Sequence, residues 1–237
     1  WRNVLTNLKG ALRSLPLIGP TFRGVYHRLF AKNRIVFHRS GQYWEDQYRF
    51  GGISESGSYG RPAQLKADIL NEFVLENSID TIVKFGCDDG AQLTLAKYPS
   101  YVGFDFAPAS INLCRERFIE NSAFSFHMVG SEAFEYLKPV DLALSLGIIY
   151  HLIEDDVFES YMKKLFGSAS RLVIIYAYDF DKEYTGKHEK GRKFTNLILD
   201  SAPNWKLIKK IPNNYPYDLS NPNDSSLSKF FVYKKDE

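Results

Sequence analysis

The 237-residue chain has only two cysteines, Cys87 and Cys114. Two cysteines cannot form a disulfide framework or a cysteine-rich metal cluster, so we predict a reducing compartment, with the cytoplasm as the default. Long apolar runs are also lacking. The uncharged run 14–22 is far shorter than the roughly 20 residues of a membrane-spanning helix, and no secretory signal pattern is recognisable.

Acidic residues are absent from positions 1–44, which carry eight Lys or Arg, whereas the rest of the chain has 22 Lys or Arg against 28 Asp or Glu. We therefore predict a basic, partly helical N-terminal extension over 1–58 and a separate domain over 59–237. Apolar residues recur in the extension at helical spacing, at Val4, Leu5, Leu8, Leu12 and Leu15. Such a segment can lie on an anionic membrane surface, or it can pack on the domain or a partner. Both interpretations stay open.

Helical and strand patterns alternate from residue 62 onward. Short runs rich in β-branched and aromatic residues predict strands at 81–83, 101–104, 124–129, 141–146 and 171–178. Apolar periodicity predicts helices at 62–77, 92–97, 108–120, 132–137 and 154–166. This alternation indicates βαβ units, and hence a parallel sheet with helices on both faces.

The last part of the chain departs from this alternation. Residues 179–195 are charged and predict a loop, and 194–200 predict a helix. Two further strands are expected at 205–211 and near 230–233, with no helix between them, so they should pair as an antiparallel edge. The prediction is an α/β, Rossmann-like fold whose seven-stranded, mostly parallel sheet ends in an antiparallel C-terminal strand.

A glycine-rich turn, Phe85-Gly86-Cys87-Asp88-Asp89-Gly90, follows the first predicted strand, and Asp105 ends the second. This order of strand, turn, helix, strand and acidic residue is typical of a site in which the carboxylate accepts hydrogen bonds from a ribose. A dinucleotide is disfavoured because Asp88 would face its pyrophosphate. S-adenosylmethionine has no phosphate and carries a sulfonium and an ammonium, so acidic residues at the turn are acceptable.

Over about residues 59–234 the chain resembles class I S-adenosylmethionine-dependent methyltransferases, through the glycine motif at 82–90 and the ribose-binding motif at 102–105. More narrowly, the segments 57–61, 149–152 and 215–217 resemble methyltransferases of surface-polysaccharide biosynthesis. The resemblance implies S-adenosylmethionine as cofactor and methyl transfer to an oxygen of a sugar, sugar nucleotide, glycan or its phosphate substituent. It also suggests glycan-assembly machinery as a partner of residues 1–44.

The resemblance further implies a set of cofactor-binding residues. These are Tyr59, Arg61, Lys84, Gly86, Asp88, Gly90, Asp105 and Phe106. Arg61 is expected to hold the cofactor's carboxylate, with a solvated arginine at the start of a helix as the alternative.

Two of these residues depart from the family pattern. Lys84 occupies the position of the Glu or Asp that accepts the cofactor's ammonium, and Asp88 replaces a glycine. If the Lys84 ammonium lay about 4 Å from the cofactor's ammonium, the two like charges would repel by roughly 4 kcal/mol at an effective dielectric near 20. Either Asp88 or Asp89 neutralises Lys84, or Asp88 itself takes the ammonium. Asp88→Ala should then weaken cofactor binding and Lys84→Glu should strengthen it. The remaining alternative is a catalytically inactive scaffold in glycan assembly.

Methyl transfer to a hydroxyl needs a base. His151 follows the fourth predicted strand, where loops line the pocket, and imidazole suits this role. A histidine that only packs there is the alternative. Tyr150 is expected to form a pocket wall or donate a hydroxyl. The predicted substrate contacts are His188, Arg192 and Tyr215. For the basic cluster that contains His188 and Arg192, a solvated loop is the alternative. We expect no metal site and no nucleic-acid partner.

Overall fold

The computed structural model describes residues 39–50, 52, 54, 56–183, 188–221 and 224–236. The predictions for the basic segment 1–38 lie outside the described residues. Within the described part, none of the helices combines the length and apolar character that crossing a membrane requires.

The central sheet contains seven strands. They are β1 (Thr81–Phe85), β2 (Ser100–Asp105), β3 (Phe124–Met128), β4 (Val140–Leu146), β5 (Ala169–Ala177), β8 (Trp205–Ile211) and β9 (Lys229–Lys235). Their order across the sheet is β3-β2-β1-β4-β5-β9-β8. Strands β1 to β5 pair in parallel, whereas β9 is antiparallel to both β5 and β8. The predicted seven-stranded, mostly parallel sheet with its antiparallel C-terminal strand is confirmed.

Six α-helices accompany the strands in the described residues. They are α1 (Ser40–Arg49), α2 (Gly60–Glu76), α3 (Pro108–Arg117), α4 (Glu132–Glu135), α5 (Asp155–Gly167) and α6 (Phe194–Ser201). Helix α2 forms because apolar side chains recur on one side, and it buries Leu70, Phe73 and Val74. Pro108 begins α3, where its missing N–H costs no helical hydrogen bond.

Two local predictions were wrong. The expected helix 92–97 is a 3-10 turn, Gln92–Leu95. The Asn71 side chain caps this turn, because its Nδ2 donates to Leu95 O and its Oδ1 accepts from Lys97 N, and Pro99 disfavours helical backbone just before it. The expected loop 179–195 contains a two-residue ladder between β6 (Lys182–Glu183) and β7 (Lys190–Gly191).

Hydrophobic clusters cover both faces of the sheet. Neighbouring strand residues divide between them: Val83 joins one cluster and Ile82 the other, because successive strand side chains point to opposite faces. Strand order reverses between β1 and β4. In open parallel sheets a crevice for ligands forms at this point, beyond the carboxyl ends of the strands.

Candidate functional site

The turn after β1 depends on residues with left-handed backbone. Gly86 has φ +80° and Asp88 has φ +56°, and the N–H groups of Gly86 and Cys87 both donate to Phe104 O, at 2.7 and 3.0 Å. A Cβ on Gly86 would collide with Ile148, and one on Gly90 would lie 2.9 Å from Phe118 Cε2. Gly90 therefore allows close packing of the turn on α3.

Lys84 and Asp88 form a largely buried ion pair. Lys84 is 5% exposed, and its Nζ lies 2.9 Å from Asp88 Oδ2. Burial lowers the pKa of the Lys84 ammonium, but the Asp88 carboxylate outweighs burial and the pKa is raised. The Tyr48 hydroxyl donates to Asp88 Oδ1 at 3.4 Å. Of the two carboxylates expected to neutralise Lys84, Asp88 is the one that pairs with it.

Asp89 holds the turn from its other side. Its Oδ1 accepts a hydrogen bond from Ser54 Oγ at 2.7 Å and one from Ala91 N at 3.0 Å, and its Oδ2 accepts one from the Tyr59 hydroxyl. Tyr59 therefore contacts the turn through Asp89, and the segment before α2 is fixed to the glycine motif.

Asp105 ends β2 as predicted. Its two carboxylate oxygens accept backbone hydrogen bonds from Asp88 N and Ala107 N, each at 3.0 Å. Burial, followed by the nearby Asp88 charge, raises the pKa of Asp105 to about 6. Each carboxylate oxygen offers about two acceptor positions, so Asp105 can accept further hydrogen bonds from a ligand.

A cavity of about 1030 Å³ opens at the carboxyl ends of the central strands and continues along α5 to Ser168, at the amino end of β5. This is the upper end of the roughly 300–1,000 Å³ range of small-molecule sites. Six of the predicted site residues line it: Gly86, Asp88, Asp105, Phe106, Tyr150 and His151. The other seven lie outside its lining: Tyr59, Arg61, Lys84, Gly90, His188, Arg192 and Tyr215.

Arg61 and Arg192 contact protein groups. The Arg61 guanidinium is exposed and lies 4.5 Å from the centroid of the Tyr215 ring. Arg192 Nη2 donates to Leu152 O at 3.0 Å and to Ile153 O at 2.7 Å, and Nη1 pairs with Asp155. Arg192 thus joins the segment after β7 to the start of α5.

His151 is 4% exposed and belongs to the 3-10 turn Ile149–His151. Its Nδ1 lies 3.2 Å from His188 O. A carbonyl oxygen can only accept, so Nδ1 carries the proton in the neutral ring and the lone pair is on Nε2. The rings of Trp44 and Tyr150 contact the imidazole edge-on, at centroid distances of 4.8 and 4.6 Å.

Sequence reasoning missed several residues that line the cavity. They include Trp44, Tyr48, Lys66, Tyr176, Tyr178 and Ser228. Trp44 and Tyr48 belong to α1, which was assigned to the extension. Ser40 anchors α1, since its Oγ donates to Glu154 Oε2 at 2.7 Å. The aromatic-rich stretch 43–50 was the available signal. The boundary between 58 and 59 stays a prediction, although described residues on both sides contribute to the site.

The acidic stretch 154–156 lies at the start of α5, where the helix dipole stabilises negatively charged side chains. Among the described residues, no three His, Cys, Asp or Glu side chains are grouped as metal ligands. Asp155 instead pairs with Lys190 and Arg192.

Neither a family model nor a curated protein matches the sequence, but solved structures match the fold. The magnesium protoporphyrin IX methyltransferase of Synechocystis PCC 6803, with bound SAH, matches with a TM-score of 0.56 and 12% identity, over 91% of this chain and 99% of that one. The N-methyltransferase NodS of Bradyrhizobium japonicum WM9 matches with a TM-score of 0.56 and 14% identity, over 74% and 98%. An S-adenosylmethionine-dependent methyltransferase of Clostridium acetobutylicum ATCC 824 matches with a TM-score of 0.56 and 10% identity, over 92% and 98%. The chain thus has the Rossmann-like fold of class I methyltransferases.

Proposed function

We propose that this protein is an S-adenosylmethionine-dependent methyltransferase that acts on an oxygen of a sugar, sugar nucleotide, glycan or its phosphate substituent. The observation that carries the proposal is the charge at the glycine turn. The carboxylates of Asp88 and Asp105 line the cavity there, whereas Lys84 is paired with Asp88 and lies outside the lining.

The residues at the turn fit this cofactor. Asp105 has acceptor positions left for ribose hydroxyls, and its carboxylate keeps the turn net negative beside the Lys84–Asp88 pair, which suits an ammonium or sulfonium. Lys84 neutralises Asp88, but the Asp105 carboxylate keeps the turn net negative, which argues against the pyrophosphate of a nicotinamide dinucleotide. The SAH bound to the protoporphyrin methyltransferase of the same fold supports the same choice.

When bound, the cofactor supplies an electrophilic methyl group on its sulfonium. His151 is proposed as the base, since the lone pair on Nε2 can take the proton of an acceptor hydroxyl. His188 O fixes the ring through Nδ1, so that the tautomer is set before the acceptor binds. Trp44 packs edge-on against the imidazole and covers it on the α1 side, which limits access of water.

The glycan acceptor is supported by the sequence motifs at 57–61, 149–152 and 215–217. A role of residues 1–44 at an anionic membrane surface or a glycan-assembly partner is proposed on their charge.

Cofactor binding is the first test. A thermal shift with SAM and SAH should stabilise the protein, by about 2.7 kcal/mol when the ligand is at roughly 100 times its Kd. NAD should produce no comparable shift. Stabilisation by neither SAM nor SAH would contradict the proposal and favour a scaffold without catalysis.

Methyl transfer is the second test. The wild type should transfer label from methyl-labelled SAM to hydroxyl-bearing sugars, sugar nucleotides or glycan fragments. Label found on nitrogen or sulfur acceptors alone would overturn the oxygen assignment and leave the cofactor assignment intact.

A further inference from the structure

Helix α1 reaches the candidate base through two neighbouring aromatic residues. Trp44 packs edge-on against the His151 ring, at a centroid distance of 4.8 Å. Tyr43 stacks instead on the ring of His188, at a centroid distance of 4.9 Å and with an angle of 11° between the two planes. Tyr43 is therefore one contact away from His151, because the His188 carbonyl oxygen lies 3.2 Å from His151 Nδ1.

His188 contacts Tyr43 with its side chain and His151 with its backbone. The plane of the His188 ring is also within 13° of the His151 plane, at a centroid distance of 6.3 Å. The three rings are thus nearly parallel. Because a hydrogen bond weakens steeply as its angle and distance depart from the optimum, a shift of His188 would weaken the contact at His151 Nδ1.

The charged groups near His188 hold its ring less firmly than Tyr43 does. The Glu189 carboxylate lies 4.0 Å from His188 Nε2, and the two side chains are 29% and 34% exposed, so water screens this pair. Arg192 anchors the chain only further along, after β7. Tyr43 covers a face of the His188 ring, and stacked aromatic pairs change an equilibrium by about 2- to 10-fold.

The position of the His188 carbonyl bears on the tautomer of His151. A carbonyl oxygen can only accept, so it favours the neutral imidazole that carries its proton on Nδ1 and its lone pair on Nε2. When this acceptor is displaced, the tautomer with the proton on Nε2 competes. That second form cannot take a proton from an acceptor hydroxyl at Nε2.

We propose that Tyr43 is a positioning residue for His151: its stacking on His188 holds the carbonyl oxygen that selects the tautomer able to act as a base. This inference rests on the proposed function, in which His151 is the base, and deepens it. Helix α1 then contributes to the reaction through Tyr43, although Tyr43 lies outside the cavity lining.

The test is a long-range ¹H–¹⁵N NMR spectrum of the full chain labelled in its histidine rings, which distinguishes a proton on Nδ1 from one on Nε2. It is recorded near pH 8, where an imidazole with the ordinary pKa of about 6.5 is neutral. The chain has five histidines, and the His151 signals are identified by their loss in His151→Gln. Wild-type His151 should carry its proton on Nδ1, with or without SAH.

Tyr43→Leu removes the stacked ring and should lower the ratio of the Nδ1–H to the Nε2–H tautomer of His151 by about 2- to 10-fold. Tyr43→Phe keeps the ring and loses only the hydroxyl, which accepts from Gln47 Nε2 at 2.9 Å, so it should keep the wild-type ratio. The matched control is Gln42→Leu, which changes the exposed neighbour of Tyr43 on α1 and should behave as wild type.

The indole N–H signal of Trp44 shows whether α1 stays in place, since Trp44 contacts His151. If Tyr43→Leu releases α1, His188→Ala tests the same contact from the other side. This variant keeps the backbone carbonyl of residue 188 but removes the ring on which Tyr43 stacks, and it should lower the tautomer ratio in the same way.

A wild-type His151 protonated on Nε2 would overturn the proposal, as would an unchanged tautomer ratio in both Tyr43→Leu and His188→Ala. An equal fall of the ratio in Tyr43→Phe and Tyr43→Leu would assign the effect to the hydroxyl and also overturn it. SAH affinity should be unchanged in Tyr43→Leu. Failure of the wild type to bind SAH would instead contradict the proposed function, and the spectrum recorded without SAH separates the two failures.

Discussion

Asp88→Asn tests whether Asp88 offsets the free-energy cost of burying the Lys84 ammonium in the altered glycine motif. Asparagine has nearly the shape of aspartate and accepts the left-handed backbone that φ +56° requires. The substitution leaves the Lys84 ammonium buried at 5% exposure without its counter-ion. Removing one partner of a buried pair costs about 3–5 kcal/mol. Because the Asp88 side chain is 20% exposed and water can replace part of it, we expect about 2–3 kcal/mol.

Lys84→Met should cost less, because the carboxylate left behind can be hydrated. The double variant should regain most of the stability, since an apolar replacement of a buried pair is often close to neutral. The assay is urea unfolding of all four proteins near neutral pH. The Lys84 pKa is raised in the folded state, so its contribution is fully present below the unfolded pKa of about 10.4 and is lost only at higher pH.

Additive effects, with a coupling energy below about 0.5 kcal/mol, would refute this reasoning. Calorimetry with SAH gives the functional half of the test. Lys84→Met should tighten binding, because Asp88 Oδ2 no longer pairs with Lys84 and can accept from the cofactor's ammonium. Asp88→Asn should weaken binding. Lys84→Met is a sharper test than Lys84→Glu, because Glu would add a third carboxylate beside Asp88 and Asp105 and would itself destabilise the protein.

Three further predictions concern the site. SAH affinity should fall as pH is lowered through about 6, because Asp105, whose pKa is raised, becomes protonated there and no longer accepts hydrogen bonds from the ribose hydroxyls. Calorimetry between roughly pH 5 and pH 8 checks this. The pH dependence should be absent in Asp105→Asn. His151→Gln should lower kcat by about 10²- to 10⁴-fold with SAH affinity retained, and an unchanged kcat in a methyl-transfer assay would remove His151 as the base. Arg192→Met should lower the unfolding free energy by about 1–3 kcal/mol in urea, because it removes donors to Leu152 O and Ile153 O; a raised KM for the acceptor at unchanged stability would restore Arg192 as a substrate contact.

Most of the fold could be predicted because its signals are local. The β-branched run at β5 and the apolar stripe on α2 each specify an element within one window of sequence. The failure at 92–97 has a tertiary cause: the Asn71 side chain, from another helix, bonds to Leu95 O and Lys97 N. The β6–β7 ladder was missed because two-residue strands in a charged loop leave no periodic pattern.

The candidate site could be predicted where a motif and a strand end coincide. Gly86, Asp88 and Asp105 line the cavity, because parallel strands bring their carboxyl ends to one edge, and their part in cofactor binding stays a prediction. Arg61 and Arg192 lie outside its lining, since spacing along the chain does not tell which way a long side chain turns. Lys66 was not singled out because its charge on an apolar helix resembled an ordinary solvated lysine.

The sequence by itself determined the order of helices and strands, the glycine turn and the acid that ends β2, because each depends on neighbouring residues. Only the tertiary structure decided how the charges are paired. Burial makes an unpaired charge costly, so Lys84 is matched by Asp88. The fold also brings α1 over His151 and Lys66 to the end of β5. These contacts join residues distant in sequence, and no local pattern encodes them.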